Sequence, residues 1–521
     1  MANSSGHVFI LRGDIRRLAC DAWALPCDGE GRVEPSWVAW PPGADSGLAP
    51  AAPFPHWTRE GERARRLEGW PAHLPEAWAL HVELDPTVPG SWLVESVSDF
   101  VRLASAGLKR RRGRPTRSCP LLALPVGVAG IGAADGRKAR RSTGALVREL
   151  LPELRREAAR HGVDVALVAH SQDSLLAAQA ARAQDPTPLD PTLPPSLALA
   201  IPALQAAVQR GSLVLVTGPA LAERAGLPTW ARLLDRLVDA SPSAEAWRRA
   251  LRSLPEDERT RVVSRHLGGA AALGRLAAER LGSHHHGLAH GLVAGLDPKV
   301  VISASADDQM EQALAAAGQP ANVILDAPAQ PGGPHLLRLM GSPHQPPSLA
   351  WARMDADWRR ERDNGLLAVA QAAMPDDPHL LLLGVNDGAT LLRAMRGLAP
   401  AMPAGSAQAP RVTVLAEGPE QQVEALLPVP TRWAPLLAED VEPDPMVAGR
   451  HLELLLDHLG ATTSLSRRFL DPGLRGLLAP GDQHMARALE DLLAAAPERA
   501  RKGESWAALA RWMSAHGHVD E

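Results

Sequence analysis

Apolar residues in this chain gather in short runs that end on glycine or a polar residue. Between these runs lie longer stretches with apolar positions three and four apart. Gly6 to Ile15 (GHVFILRGDI) reads as a strand closed by a turn, and Asp21 to Gly29 (DAWALPCDG) as a second short strand. Pro120 to Gly136 reads as a strand followed by a glycine-rich loop, and Ser142 to Gly162 as a helix with a glycine stop. Val163 to Ser171 is a strand of the fully buried type, followed by the helix Ser174 to Gln184. Asp185 to Ser196 is dense in proline and marks a linker. Beyond it, a helix from Leu197 leads into the β-branched run ending at Val216, and a long helical stretch runs from about Thr229 to Gly282. Further short strands are expected in PKVVISAS, ANVILDA, HLLRLMG, HLLLLGVND and, as the last one, RVTVLAE from Arg411 to Glu417. From about Met446 the pattern is helical to the end.

Strands alternating with helices predict an α/β chain. The expected organisation is an α/β domain over 1–184, a linker over 185–196, a Rossmann-type parallel-sheet domain over 197–417 and a mainly helical C-terminal region over 418–521. The length of 521 residues also calls for more than one core.

Composition narrows the function classes. Apolar content of 45% and charged content of 22% are globular values, and the net charge of -4 argues against general nucleic-acid or membrane binding. Cys20, Cys27 and Cys119 suit a reducing compartment, and their spacing is neither a disulfide framework nor a zinc pattern. The N-terminal MANSSGHVFILRGD lacks the basic segment and long apolar stretch of a signal peptide, so a cytoplasmic location is expected. The chain has 14 Trp, four Phe and no Tyr, with abundant Ala, Leu, Arg, Gly and Pro, a bias read as that of a GC-rich bacterial genome.

The stretch LVTGPALAERAGLPTW, Leu215 to Trp230, places a glycine turn and a helix start directly after a strand. Free helix N–H groups there favour a phosphate, although Pro219 removes one donor. The stretch resembles the NAD-binding loop of sirtuin-like proteins, a group that includes bacterial NAD-cleaving defence proteins. The resemblance extends over about Leu197 to Glu417 and is carried by Gly218, Ala225, Gly226, Leu227, Pro228 and Trp230, then by Asp307 in VISASADD, Gly341 in RLMGS, and Gly384, Asn386 and Asp387 in GVND. It implies a nucleotide of NAD or ADP-ribose type as substrate or ligand, without a metal. Its binding residues would be Gly218, Ala225, Gly226, Pro228, Trp230, Ser305, Asp307, Gly341, Gly384 and Asn386, and the loop, Ser305, Met340 and Asn386 would share one cleft. The departures fall on the family's chemistry. Ser305 stands at the Asn position and Met340 at the position of the His that takes a ribose proton. Methionine has no proton to exchange, and loss of a general base alone costs about 100- to 10,000-fold. The retained Asp307 could stabilise cationic charge at the carbon losing nicotinamide.

A shorter match, Gly13, Asp14, Ile15, Asp21 and Ala22 in RGDIRRLACDA, resembles the opening of macro domains, which bind ADP-ribose. It implies that Asp14 meets the adenine and that the loop with Gly127, Gly130, Gly132 and Gly136 takes the diphosphate. Cys27 and Asp28 replace the family's Asn-rich loop. Two other stretches carry competing readings. KRRRGRPTR, Lys109 to Arg117, could enter a DNA minor groove or be a solvated loop. His284, His285, His286 and His290 are expected on a helix, with His286 and His290 at zinc-ligand spacing but no Glu or Cys nearby to complete a shell.

Three functions follow from these resemblances: an NAD/ADP-ribose-type binding protein of a bacterial antiphage system with impaired or lost cleavage, an active NAD-depleting glycohydrolase, or a catalytically silent scaffold or sensor subunit. The partners expected are the nucleotide, a second copy of the chain or an effector protein.

Overall fold

The computed structural model describes residues 6–27, 63–67, 70, 74–82, 91–108, 117–126, 143–184, 193–238, 244–254, 256–283, 285–325, 334–349, 356–385, 398, 411–416, 431–438, 444–467 and isolated positions beyond. The chain is α/β and divides into two units, one of Met1–Asp190 with Leu456–Glu521 and one of Pro191–Leu455.

The first unit holds β1 (Val8–Arg12), β2 (Ala22–Cys27), β3 (Ala64–Arg66), β4 (Glu76–His81), β5 (Leu121–Pro125) and β6 (Asp164–Ala169), with helices α1 (Ser91–Leu108), α2 (Thr143–His161) and α3 (Gln172–Gln184). The strands form one sheet in the order β1-β6-β5-β2-β4-β3. All its pairs are parallel except β3 with β4. β2, β5 and β6 are buried at every position, which is why they read as continuous apolar runs in the sequence. The core joins the sheet to Phe100, Val101 and Ala104 of α1 and to Leu150, Leu151 and Leu154 of α2.

The second unit begins with α4 (Pro195–Gln209) and β7 (Leu213–Thr217). A helical series follows: α5 (Ala220–Arg224), α6 (Trp230–Val238), α7 (Ala244–Arg252), α8 (Glu256–His266), α9 (Ala270–Leu281) and α10 (Leu288–Gly295). Then come β8 (Val300–Ser303), α11 (Gln309–Ala316), β9 (Asn322–Ile324), β10 (His335–Arg338), α12 (Ala356–Ala373), β11 (His379–Leu383), β12 (Val412–Ala416), β13 (Thr431–Pro435) and α13 (Pro445–Arg467). The seven strands are all parallel in the order β13-β12-β11-β7-β8-β10-β9. From β7 the chain first builds to one side through β8, then returns to build β11, β12 and β13 on the other. The switch point thus lies between β7 and β11, whose five residue pairs run from Leu213–His379 to Thr217–Leu383.

Two expectations are corrected. RVTVLAE is not the last strand: β13 follows it, partly buried along TRWAP and ending on a proline, so it carries no alternation to mark it. The histidines do not share a helix. α10 starts at Leu288, so His285 and His286 precede it and only His290 lies on it; His284 is outside the described residues. Among the described residues no helix is long and apolar enough to cross a membrane.

The C-terminal helix α13 contributes Asp457 to the first unit. Asp457 is 2% exposed and accepts from Arg182 at 2.7 Å, the His7 ring at 3.0 Å and the Ile10 amide at 3.2 Å. Burial works to raise its carboxyl, but Arg182 and His7 outweigh it and hold it below the usual carboxylate range.

Candidate functional site

The glycine turn after β7 is bound to the exit of β11. Gly218 N donates to the Leu383 carbonyl at 2.8 Å, and Ala220 N donates to the Gly384 carbonyl at 3.2 Å. A Cβ on Gly218 would lie 2.2 Å from the Gly384 oxygen, so glycine is required by close approach of two backbones. Gly384 has φ +62°, a left-handed turn that ends its strand. The next amides are also taken: Leu221 N by the Gly218 carbonyl at 3.3 Å, and Ala222 N and Glu223 N by Pro219 at 3.0 and 3.2 Å. Pro219 has none to offer. The donors that such a turn would aim at a phosphate are therefore all used within the protein, and α5 is only five residues long.

The Ala225–Trp230 segment carries the chain from α5 into the helical series. Gly226 is exposed with φ +93° and open space around its missing side chain. Pro228 is half-buried. Trp230 donates from its indole to Thr260 Oγ1 at 2.9 Å and packs against both helical clusters, so its ring supports the fold of this helical series. Met340 is half-buried against the cluster of Leu233, Ala277, Leu281, Ala306 and Leu349.

The loop after β8 is the polar centre. Ser305 is 9% and Asp307 5% exposed. Ser305 Oγ donates to Asp307 Oδ2, and the Gln309 amide donates to Asp307 Oδ1 at 3.0 Å. The Gln309 side chain then accepts from Gly287 N at 3.2 Å, joining this loop to the start of α10. Arg338, 1% exposed at the end of β10, holds the loop from below. Its guanidinium donates to the Ala306 carbonyl at 3.1 Å, to the Asp307 carbonyl and to the Gly341 carbonyl at 2.9 Å, and it lies 3.5 Å from Glu311. Gly341 has φ +85°, and a Cβ there would meet the Ser348 carbonyl at 2.3 Å. Asp308 turns the other way, accepting from Ser283 N at 3.0 Å and pairing with His344 at 3.1 Å. Burial raises its carboxyl above the usual range, with the Asp307 charge adding to it against the Ser283 amide.

Of the residues singled out in the sequence, Gly218, Ala225, Gly226, Pro228, Trp230, Ser305, Asp307, Met340, Gly341 and Gly384 all follow the carboxyl ends of β7, β8, β10 or β11. Asn386 and Asp387 lie outside the described residues. Arg338 was not singled out in the sequence, and His290 was named only as a candidate metal ligand. Arg338 sits two residues before Met340 in the same motif, where its charge was a usable signal. His290 belongs to the histidine-rich stretch whose spacing resembles that of zinc ligands. It is 3% exposed, and burial pushes its imidazole down to about 4, with Asp307 opposing that shift and Arg224 adding to it. Among the described residues no group of three potential metal ligands occurs.

In the first unit, Gly13 N donates to the Ala169 carbonyl at 2.9 Å, so Asp14 follows the joined exits of β1 and β6. Its carboxylate is engaged locally, accepting from Arg16 N at 3.0 Å and from the Arg16 guanidinium at 2.7–3.1 Å. Gly127, Gly130, Gly132 and Gly136 lie outside the described residues, as does most of the Lys109 to Arg117 stretch.

The fold and the site thus define a two-unit α/β protein with a polar centre at the strand ends of a parallel sheet. No protein-family model matches this chain, and no curated protein matches it.

Proposed function

We propose that the second unit is a sirtuin-like module that binds a nucleotide of NAD or ADP-ribose type without cleaving it, serving as a sensor or scaffold beside an effector in a bacterial antiphage response. The observation that carries this reading is the fate of the family's chemical groups. Met340 is packed into an apolar cluster, and the Ser305 hydroxyl is committed to Asp307, so neither can take a ribose proton. The amides of residues 218–223 are spent within the protein, so this reading does not draw on them to hold a diphosphate. Binding in this reading rests on the polar centre around Asp307. For the first unit, a macro-like reading requires Asp14 to leave Arg16 before it can accept from an adenine. That exchange of one strong bond for another leaves little gain, which favours a partner-binding role for this unit.

The test is incubation of the full chain with NAD, with nicotinamide release followed by chromatography and binding followed by calorimetry. Binding without release is expected. Robust release that Asp307→Ala abolishes would instead establish the active glycohydrolase.

A further inference from the structure

The His290 ring is a costly feature of the second unit. Its Nδ1 is buried and has no hydrogen-bond partner. A buried polar group left unpaired is destabilising, and an aliphatic side chain would fill the same space without that penalty. Such a group in a native interior calls for a ligand, a proton partner or a functional role. Its surroundings point to the first. The ring lies beside Gly287, where a Cβ would come 3.3 Å from Nδ1 and 2.9 Å from the Ala225 Cβ. Gly287 thus lies between the ring nitrogen and Ala225, the first residue of the Ala225–Pro228 turn, and this close approach leaves no room for a side chain there. Gly287 is also the residue whose amide Gln309 ties to Asp307. His290 thus stands where the turn after β7 meets the loop after β8, in the first turn of α10, whose N-terminal dipole disfavours an imidazolium.

We propose that His290 is a ligand-binding residue of this site, its Nδ1 accepting a hydrogen bond from a hydroxyl or carboxamide N–H of the nucleotide-type ligand beside the Ser305–Asp307 pair. The inference rests on the nucleotide-binding reading above and adds to it the group that recognises the ligand. Nδ1 is shielded from solvent in the free protein, so the ligand reaches it by displacing the neighbouring Ala225–Pro228 turn. Gly226, exposed and already left-handed, is the natural pivot. The field of the site fits a neutral donor: the Asp307 carboxylate and the Arg224 cation both act on the imidazole and oppose one another.

The experiment compares wild type, His290→Leu and His290→Asn as full chains, with NAD as the probe. His290→Leu is expected to weaken NAD binding about tenfold in calorimetry, the effect of one lost hydrogen bond. The ligand-free variant should melt at the same temperature as wild type or higher, because an unpaired polar group has gone. His290→Asn should recover part of the affinity. In wild type, the ¹⁵N resonances of the His290 ring should shift when NAD is added. A ring that does not respond to saturating NAD, or a His290→Leu affinity within twofold of wild type, overturns the inference and leaves the nucleotide reading standing. A lowered melting temperature in His290→Leu, with no ring shift in wild type, makes the histidine structural and also overturns it. Wild type that binds no NAD at millimolar concentration overturns both.

Discussion

Replacing Gly218 with alanine tests whether the turn after β7 is locked to the exit of β11. The added Cβ would lie 2.2 Å from the Gly384 oxygen and 2.7 Å from the Gly384 carbonyl carbon and from Val385 Cα. All three are backbone atoms, so no side chain can rotate aside. Restoring ordinary contact at about 3.4 Å requires the two strand exits to part by about 1 Å. That movement lengthens the bonds from Gly218 N to Leu383 and from Ala220 N to Gly384, now 2.8 and 3.2 Å. Each lost bond costs about 1 kcal/mol, and the overpacking itself about 1–3 kcal/mol, giving about 3–5 kcal/mol in all. Gly226→Ala is the matched control. Its φ of +93° disfavours a side chain, but nothing lies within 4 Å of the new Cβ. It should cost about 1–2 kcal/mol. Urea unfolding of the full chains gives the overall loss. Hydrogen exchange of peptides covering 213–221 and 379–385 shows whether it starts at the paired exits. If Gly218→Ala proves no more costly than Gly226→Ala, or exchange at the exits is unchanged, the lock does not exist and the turn is free to bind an anion.

Asp457→Ala should destabilise the first unit by about 3–5 kcal/mol in urea titration, because Arg182 loses its buried counter-charge. The depressed carboxyl of Asp457 sets the sign of its pH dependence: its contribution is complete above the unfolded value of about 3.9 and is lost as pH falls through the lower folded value. Asp457→Ala should lack that loss. The second unit should behave differently on acidification. His290 and His379 are both pushed down to about 4, chiefly by burial, so the unfolded chain takes up to two protons that the folded unit refuses. Its urea midpoint should fall between about pH 6.5 and 4, and a flat midpoint over that range would contradict the burial of these rings. Met340→His combined with Ser305→Asn should raise nicotinamide release from NAD; no gain would refute the reading that these two positions limit cleavage. Trp230→Phe should cost about 1 kcal/mol through loss of the bond to Thr260, as measured by urea titration.

The α/β class was legible in the sequence because buried parallel strands are written as continuous apolar runs. β7, β11 and β12 are buried at all five positions each. Gly218 and Gly384 were visible as strand-ending glycines for the same local reason. Other features had no local mark. β3 is a three-residue edge strand, and β13 is half-buried and ends on proline, so neither carries a periodic signal. The sequence could propose that the Gly218 turn faces an anion, but only the approach of the β11 exit, Leu383 and Gly384, far away in the chain, takes up the Gly218 and Ala220 amides. The same holds for Gly287 wedged between Ala225 and the His290 ring, and for Asp457 on His7 and Arg182. Periodicity records which face of each element avoids water. Which elements then meet is decided by packing between surfaces distant in the chain, and it was this packing that turned a phosphate-type turn into a closed one and left a candidate zinc histidine with a buried, unpartnered Nδ1.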